Sequence, residues 1–229
     1  WMIPFSSMVP RLRRIVRQIS GELDKAVDFN VLNASGEMDR SVLERMIAPL
    51  EHMLRNALDH GIESKEKRAE TNKSETGRID LSVSREGGDI VLRMKDDGGG
   101  IDGERIRQKA IAQNIISDDT TLSRQETLQL IMAAGFSTAE QVTQISGRGV
   151  GMDVVASEIK QLGGTISIDS FVGKGTEFTV RLPFTVSVNR ALMVSTGDDF
   201  YAIPLNTIEG IVRVSPYELE EYYQDDAPP

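Results

Sequence analysis

A chain of 229 residues is long enough for one sizeable core, or for one domain and part of another. With 39% apolar and 27% charged residues it reads as a soluble globular protein; no apolar run approaches the roughly 18 residues that span a bilayer, and the lack of cysteine excludes disulfides and thiolate metal sites. A formal charge of −9 disfavours nucleic acid, while leaving room for an anionic ligand held by locally placed basic residues.

The opening Trp1-Met2-Ile3-Pro4-Phe5 has no basic flank ahead of an apolar run, so it does not read as a signal peptide; it reads as a cut inside a longer protein. Leu12, Ile15, Val16, Ile19 and Leu23 recur at helical spacing between arginines 11, 13, 14 and 17, which predicts an amphipathic helix over 8–24. Val27, Phe29 and Val31 alternate as in a strand. Asp39 is placed to cap a long helix whose stripe runs from Val42 to Leu58, with Pro49 expected to bend it or mark its start and Gly61 to end it. On that helix His52, Asn56 and His60 are four residues apart and share a face. A buried face would not place an amide and two imidazoles there without partners, so the stripe is read as looking into a site. A zinc pair of His52 and His60 lacks a carboxylate or third imidazole in register.

Residues 63–77 are polar and read as a loop with room for a helical turn. Ile79/Leu81/Val83 and Ile90/Leu92/Met94 form a hairpin around Gly87-Gly88, and the second run leads directly into Asp96-Asp97-Gly98-Gly99-Gly100-Ile101. Helical signals return at 103–114 and at 123–133, the latter opening on a Ser123/Glu126 capping pair. A stretch of weak periodicity from Gly135 ends in Gly147-Arg148-Gly149-Val150-Gly151-Met152, followed by a helix that Gly163-Gly164 stops. Ile166/Ile168 and Phe178/Val180/Leu182 are two further strands. Adjacent hairpins favour an α+β, two-layer sandwich with a mixed sheet over a doubly wound fold. From 184 the texture changes to short strands, including Ile211–Val214, and an acidic tail; this reads as the opening of an all-β second domain that stops before its core closes.

The glycine segments point to a phosphate ligand. Backbone N–H groups and the helix dipole at Arg148-Gly149-Val150-Gly151 favour an anion. The segment is neither a Walker loop nor a Rossmann fingerprint. Taken together, Asn56 on a helix, Asp96-x-Gly-x-Gly after a strand, Gly147-x-Gly-x-Gly before a helix and Gly173-x-Gly-Thr176 in a hairpin resemble the Bergerat (GHKL) ATP-binding fold shared by gyrase, MutL and the histidine kinases. Within it, His52-Met53-Leu54-Arg55-Asn56-Ala57-Leu58-Asp59-His60-Gly61-Ile62-Glu63, Gly135-Phe136-Ser137-Thr138 and Ser146–Val155 resemble the CheA-type chemotaxis histidine kinases. The arginine-rich opening and Met46-Ile47-Ala48-Pro49-Leu50 resemble the branch that serves type IV pili and twitching motility.

That resemblance implies three parts: the end of a dimerisation helix (1–24), a kinase catalytic domain (25–183) and the start of a CheW-like regulatory domain of SH3-like barrel type (184–229). It implies ATP and Mg²⁺, with Asn56 as metal ligand and His52 near the γ-phosphate. Arg55 and His60 would line the nucleotide. Asp96 would read adenine beside Gly98, Gly100 and Ile101, with Thr176 nearby, and Arg105 and Lys109 would lie over the phosphates. Phe136, Ser137 and Thr138 would open a lid over 137–147, expected to be poorly ordered without ATP. Gly147, Arg148, Gly149, Val150, Gly151 and Met152 would form the lid's far hinge. Gly99, where the family often has a charge, is expected to loosen its loop. The ATPases of this superfamily place a water-activating glutamate four residues before the asparagine; here His52 stands there, and Glu51 is turned about 100° away. The expectation is therefore phosphoryl transfer to a histidine on a separate phosphoacceptor domain, with response regulators downstream, a homodimeric parent and a CheW-like adaptor. An adaptor-docking module or a GHKL ATPase is the alternative. The implied location is cytoplasmic, in receptor arrays, with no membrane insertion.

Overall fold

The structure, a computed structural model, describes residues 1–136, 151–184, 191–205, 208, 210 and 215. The chain divides into two compact units, Trp1–Phe184 and Thr185–Pro229.

The first unit runs β1 (Met2–Pro4), α1 (Val9–Glu22), β2 (Val27–Leu32), β3 (Glu37–Asp39), α2 (Arg40–Asn56), α3 (Lys65–Glu70), β4 (Gly77–Glu86), β5 (Asp89–Asp96), α4 (Gly103–Ala112), α5 (Arg124–Gln129), α6 (Met152–Gln161), β6 (Thr165–Phe171) and β7 (Gly175–Pro183). Five strands form a mixed sheet in the order β2-β4-β5-β7-β6, with β2 parallel to β4 and the rest antiparallel. The two-residue period puts Ile79, Leu81, Ile90, Leu92, Met94, Ile166, Ile168, Phe178, Val180 and Leu182 on one face, all buried. That face shares one apolar core with α1, α2 and α6. The opposite face carries Arg78, Asp80, Arg93 and Arg181, with Glu86 bound to Arg93 at 2.8 Å and to Arg181 at 3.1 Å. A sheet covered on one side and charged on the other is the two-layer arrangement the hairpins predict.

Helix α2 begins where Asp39 accepts hydrogen bonds from the Ser41 N–H (2.9 Å) and the Val42 N–H (3.4 Å). It runs through Pro49, which is buried, so the proline does not mark its start. Residues 1–24 send Phe5, Met8, Leu12, Val16 and Ile19 into the same core as α2. The apolar side of the predicted amphipathic helix therefore packs inside this unit. Two features had no periodicity to announce them: the short β1–β3 pairing, and α3 within the stretch read as a loop. The 123–133 signal resolves into α5, opened by the Ser123–Glu126 capping box, and a 3₁₀ turn at Leu130–Met132.

In the second unit the described residues form one antiparallel hairpin, β8 (Ala191–Thr196) and β9 (Asp199–Pro204), turning at Gly197-Asp198. The expected strand at 211–214 and the acidic tail lie outside the described residues.

Leu12 is fully buried. Leu12→Ala is expected to destabilise the chain by about 2–5 kcal/mol in chemical denaturation. A loss well under about 1 kcal/mol would show that α1 contributes no core.

Candidate functional site

The site begins where α2 changes pitch. α-Helical bonding stops at Asn56, and Ala57–Gly61 forms a π-type turn closed by the Ile62 N–H on the Ala57 carbonyl at 2.7 Å. The carbonyls this turn frees are taken by Lys25, whose Nζ donates to Leu58 (2.7 Å), Asp59 (2.9 Å) and Ile62 (2.8 Å). Burial lowers the Lys25 pKa, against the raising influence of Asp59 and Glu63.

The 100° step puts His52 and Asn56 on one face of α2 as far as Asn56, and the chain then follows the wider π turn. His60 is exposed, with its Nε2 3.5 Å from Asp59. Arg55 is exposed as well. Asn56 is half-buried, and its Nδ2 donates to Met152 Sδ at 3.0 Å, tying the end of α2 to the first residue of α6. His52 has a buried Nδ1 with no hydrogen-bond partner among the described residues. Glu51 points elsewhere: Arg11 of α1 holds it at 3.1 Å.

The second component sits at the end of the apolar sheet face. Across it run Ile79, Asp96, Thr176 and Ser170, register partners in that order. The row turns from apolar to polar where β5 ends. Asp96 is 4% exposed, and its Oδ1 accepts the Gly98 N–H at 2.9 Å. Burial pushes its carboxyl up to about 6, against hydrogen bonds from the Gly98 and Thr176 N–H groups, with the charges of Asp97 and Glu63 adding to the rise. Ser170 Oγ and Thr176 Oγ1 lie 2.9 Å apart, and the Ile101 N–H donates to Ser170 Oγ at 2.9 Å.

Two of the glycines are demanded by close approach. A Cβ on Gly98 would stand 2.1 Å from the Gly61 carbonyl oxygen. Gly100 has φ +71°, and its Cβ would meet the Phe171 carbonyl at 2.2 Å. The loop after Asp96 thus packs directly on the π turn and on the β6–β7 hairpin. Gly99, expected to loosen this loop, has its N–H on the Gly61 carbonyl (2.9 Å) and accepts the Gly173 N–H (2.7 Å).

The basic residues divide. Arg105 is exposed on α4. Lys109, one turn later, lies with Nζ 4.9 Å from the centroid of the buried Phe136 ring, whose carbonyl accepts from Gln113 Nε2 at 3.3 Å. Gly151 caps α6 and Met152 opens it. The site residues Ser137, Thr138, Gly147, Arg148, Gly149 and Val150, and the lid itself, lie outside the described residues.

The structure therefore gathers Asn56 with Met152, and Asp96 with Gly61, Gly98 and Thr176, and leaves Arg55, His60 and Arg105 at the surface. It adds residues that sequence reasoning missed: Lys25, Arg68, Lys73 and Ser170. Their role comes from contacts across the chain, which leave no local pattern. No group of three His, Cys, Asp or Glu side chains able to hold a metal occurs among the described residues. Asn56 offers one neutral amide oxygen, since its nitrogen is engaged by Met152. That donor fits a hard cation such as Mg²⁺, which keeps its waters and takes its remaining ligands from phosphate.

Residues 46–186 match the family described as histidine kinase-, DNA gyrase B-, and HSP90-like ATPase. The chain is 41% identical over 226 residues to chemotaxis protein CheA of Borreliella burgdorferi, covering 97% of this chain and 26% of that protein. It is 43% identical over 207 residues to CheA of Klebsiella aerogenes (90% and 32%) and 42% identical over 220 residues to the sensor histidine kinase CheAY of Helicobacter pylori (95% and 27%). The chain thus spans about a quarter to a third of the length of these relatives. A match over more than half of the sequence, on a fold with a buried aspartate at the end of a strand and an asparagine at the end of a helix, means that this chain belongs to the histidine kinase-, DNA gyrase B- and HSP90-like ATPase family, among relatives that are CheA-type histidine kinases.

Proposed function

We propose that this chain is the ATP-binding catalytic part of a CheA-type kinase: it binds Mg-ATP and passes the γ-phosphoryl group to a histidine on a phosphoacceptor domain carried elsewhere in its parent. The observation that carries the kinase reading over hydrolysis is the residue four positions before Asn56. His52 stands there, and the neighbouring Glu51 is engaged by Arg11 at 3.1 Å, so neither position places a free carboxylate to activate water.

Each residue has a defined task in this reading. Asp96, as a carboxylate, accepts from the exocyclic amine of adenine, and Thr176 and Ser170 continue the polar row beside it. Asn56 presents its amide oxygen to the metal. Mg²⁺, when bound, offsets charge on the phosphates during an in-line transfer. His52, with its buried Nδ1 unpaired among the described residues, has a donor or acceptor to give to the γ-phosphate or to the incoming imidazole. Lys109 and Arg105 supply positive charge from α4.

A CheW-like adaptor and downstream response regulators complete the pathway in this reading. The pilus branch rests on residues 11–17 and 46–50 alone.

Mixing the chain with Mg-ATP and the parent's isolated phosphoacceptor domain is expected to yield phosphohistidine. Asn56→Asp is expected to lower that yield about 100-fold or more. Nucleotide binding with no transfer would overturn the kinase reading in favour of a docking module. Asp96→Asn is expected to weaken ATP binding by at least about tenfold, measured by calorimetry.

The pKa of about 6 at Asp96 gives a pH test. Between the ordinary carboxylate range and about 6 the folded chain holds more protons at this site than the unfolded chain. Its contribution to stability therefore falls as pH rises through that window and is constant above it. ATP affinity is expected to move the opposite way, falling as pH drops below about 6 because the acceptor becomes protonated. Asp96→Asn should remove both slopes, and their persistence in that variant would assign them to other groups.

A further inference from the structure

The polar segment between α2 and β4 closes on the loop that follows Asp96, and it does so with two cations. Arg68 is 1% exposed. Its guanidinium donates to Glu63 Oε1 at 3.0 Å, to Asp97 Oδ2 at 3.0 Å and Oδ1 at 3.3 Å, and to the Ser74 carbonyl. Lys73 Nζ lies 2.7 Å from Glu63 Oε2 and donates to the backbone carbonyls of Asp97 (2.9 Å) and Gly98 (2.8 Å). Burial would raise the Glu63 carboxyl, but the Lys73 hydrogen bond and the charges of Lys73 and Arg68 hold it below the ordinary value.

This cluster touches the backbone on the far side of Asp96 without touching its carboxylate. The turn is already closed by the Gly99 N–H on the Gly61 carbonyl and by the Gly98–Gly61 packing. Desolvating a guanidinium is unfavourable, and buried ion pairs are a weak source of stability compared with apolar packing. What such a cluster supplies is a fixed geometry. The Asp96 carboxylate itself accepts from the backbone N–H groups of Gly98 and Thr176, so its direction follows the path of the chain through 96–98.

We propose that Arg68 and Lys73 are positioning residues for base recognition: they clamp the backbone of Asp97 and Gly98 against Glu63 and so aim the Asp96 carboxylate at a hydrogen-bond donor on the base. This rests on the nucleotide reading above and assigns the segment 63–74 the role of setting its specificity for a 6-amino purine. A scaffold role alone would change how tightly any nucleotide binds or how stable the chain is. An aiming role changes the preference between bases.

The test measures affinities for ATP and for inosine triphosphate, which has an oxygen in place of the exocyclic amine, together with the thermal midpoint. The unaltered chain is expected to prefer ATP. Lys73→Met is expected to cut that preference by about tenfold, and Lys73→Arg, which keeps the charge and donors, to restore most of it. Arg68→Met is expected to act in the same direction. Should it fail to fold, Lys73→Met decides, because Lys73 sits at the edge of the cluster with 17% of its side chain exposed. A preference unchanged in Lys73→Met, whatever happens to the thermal midpoint, overturns the proposal and leaves a scaffold. An unaltered chain that binds both nucleotides equally overturns this proposal alone, and one that binds neither overturns the nucleotide reading as well.

Discussion

One carboxylate held out of water organises this unit. Asp96 stands at the end of an apolar sheet face, where the next position along β5 would continue the core. Its burial is tolerated because two backbone N–H groups point at it and because the segments around it have no side chains to intrude. Gly61 and Gly98 bring two loops to van der Waals contact, and that contact in turn fixes where α2 must end. The π turn at Ala57–Gly61 is the adjustment that lets one helix both pack its apolar stripe and deliver Gly61 to the aspartate. Lys25 then satisfies the carbonyls that the adjustment releases.

The same constraint explains why the two halves of the site meet. The first residue of α6 is bonded to the last residue of α2 through Asn56 and Met152, and both helices lie on the face of the sheet that ends in Asp96. A ligand bridging Asn56 and Asp96 spans a helix terminus and a strand terminus that the core already holds in place. Around Asp96 the backbone approaches closely enough that a Cβ on Gly98 or Gly100 would collide with a neighbouring carbonyl, which holds this end of the site in place.

Much of this was legible in the residues. The alternation of β4, β5 and β7 gave the sheet, Asp39 gave the start of α2, and the order of Asn56, Asp96 and the glycine segments gave the site. What was not legible depended on contacts between distant segments. Nothing local to Ala57–Gly61 marks the switch from α to π pitch. Nothing local marks Arg68 as buried or Lys73 as engaged, because the partner they share beyond Glu63 is Asp97, which follows β5. A polar stretch without periodicity reads as a loop, and here it is a clamp.

A crystal structure of the chain with Mg²⁺ and a non-hydrolysable ATP analogue tests the assignment most directly. The expected result places the exocyclic nitrogen of adenine within hydrogen-bond distance of an Asp96 carboxylate oxygen and the metal on the Asn56 amide oxygen. A base bound away from Asp96, or a metal held without Asn56, would contradict it.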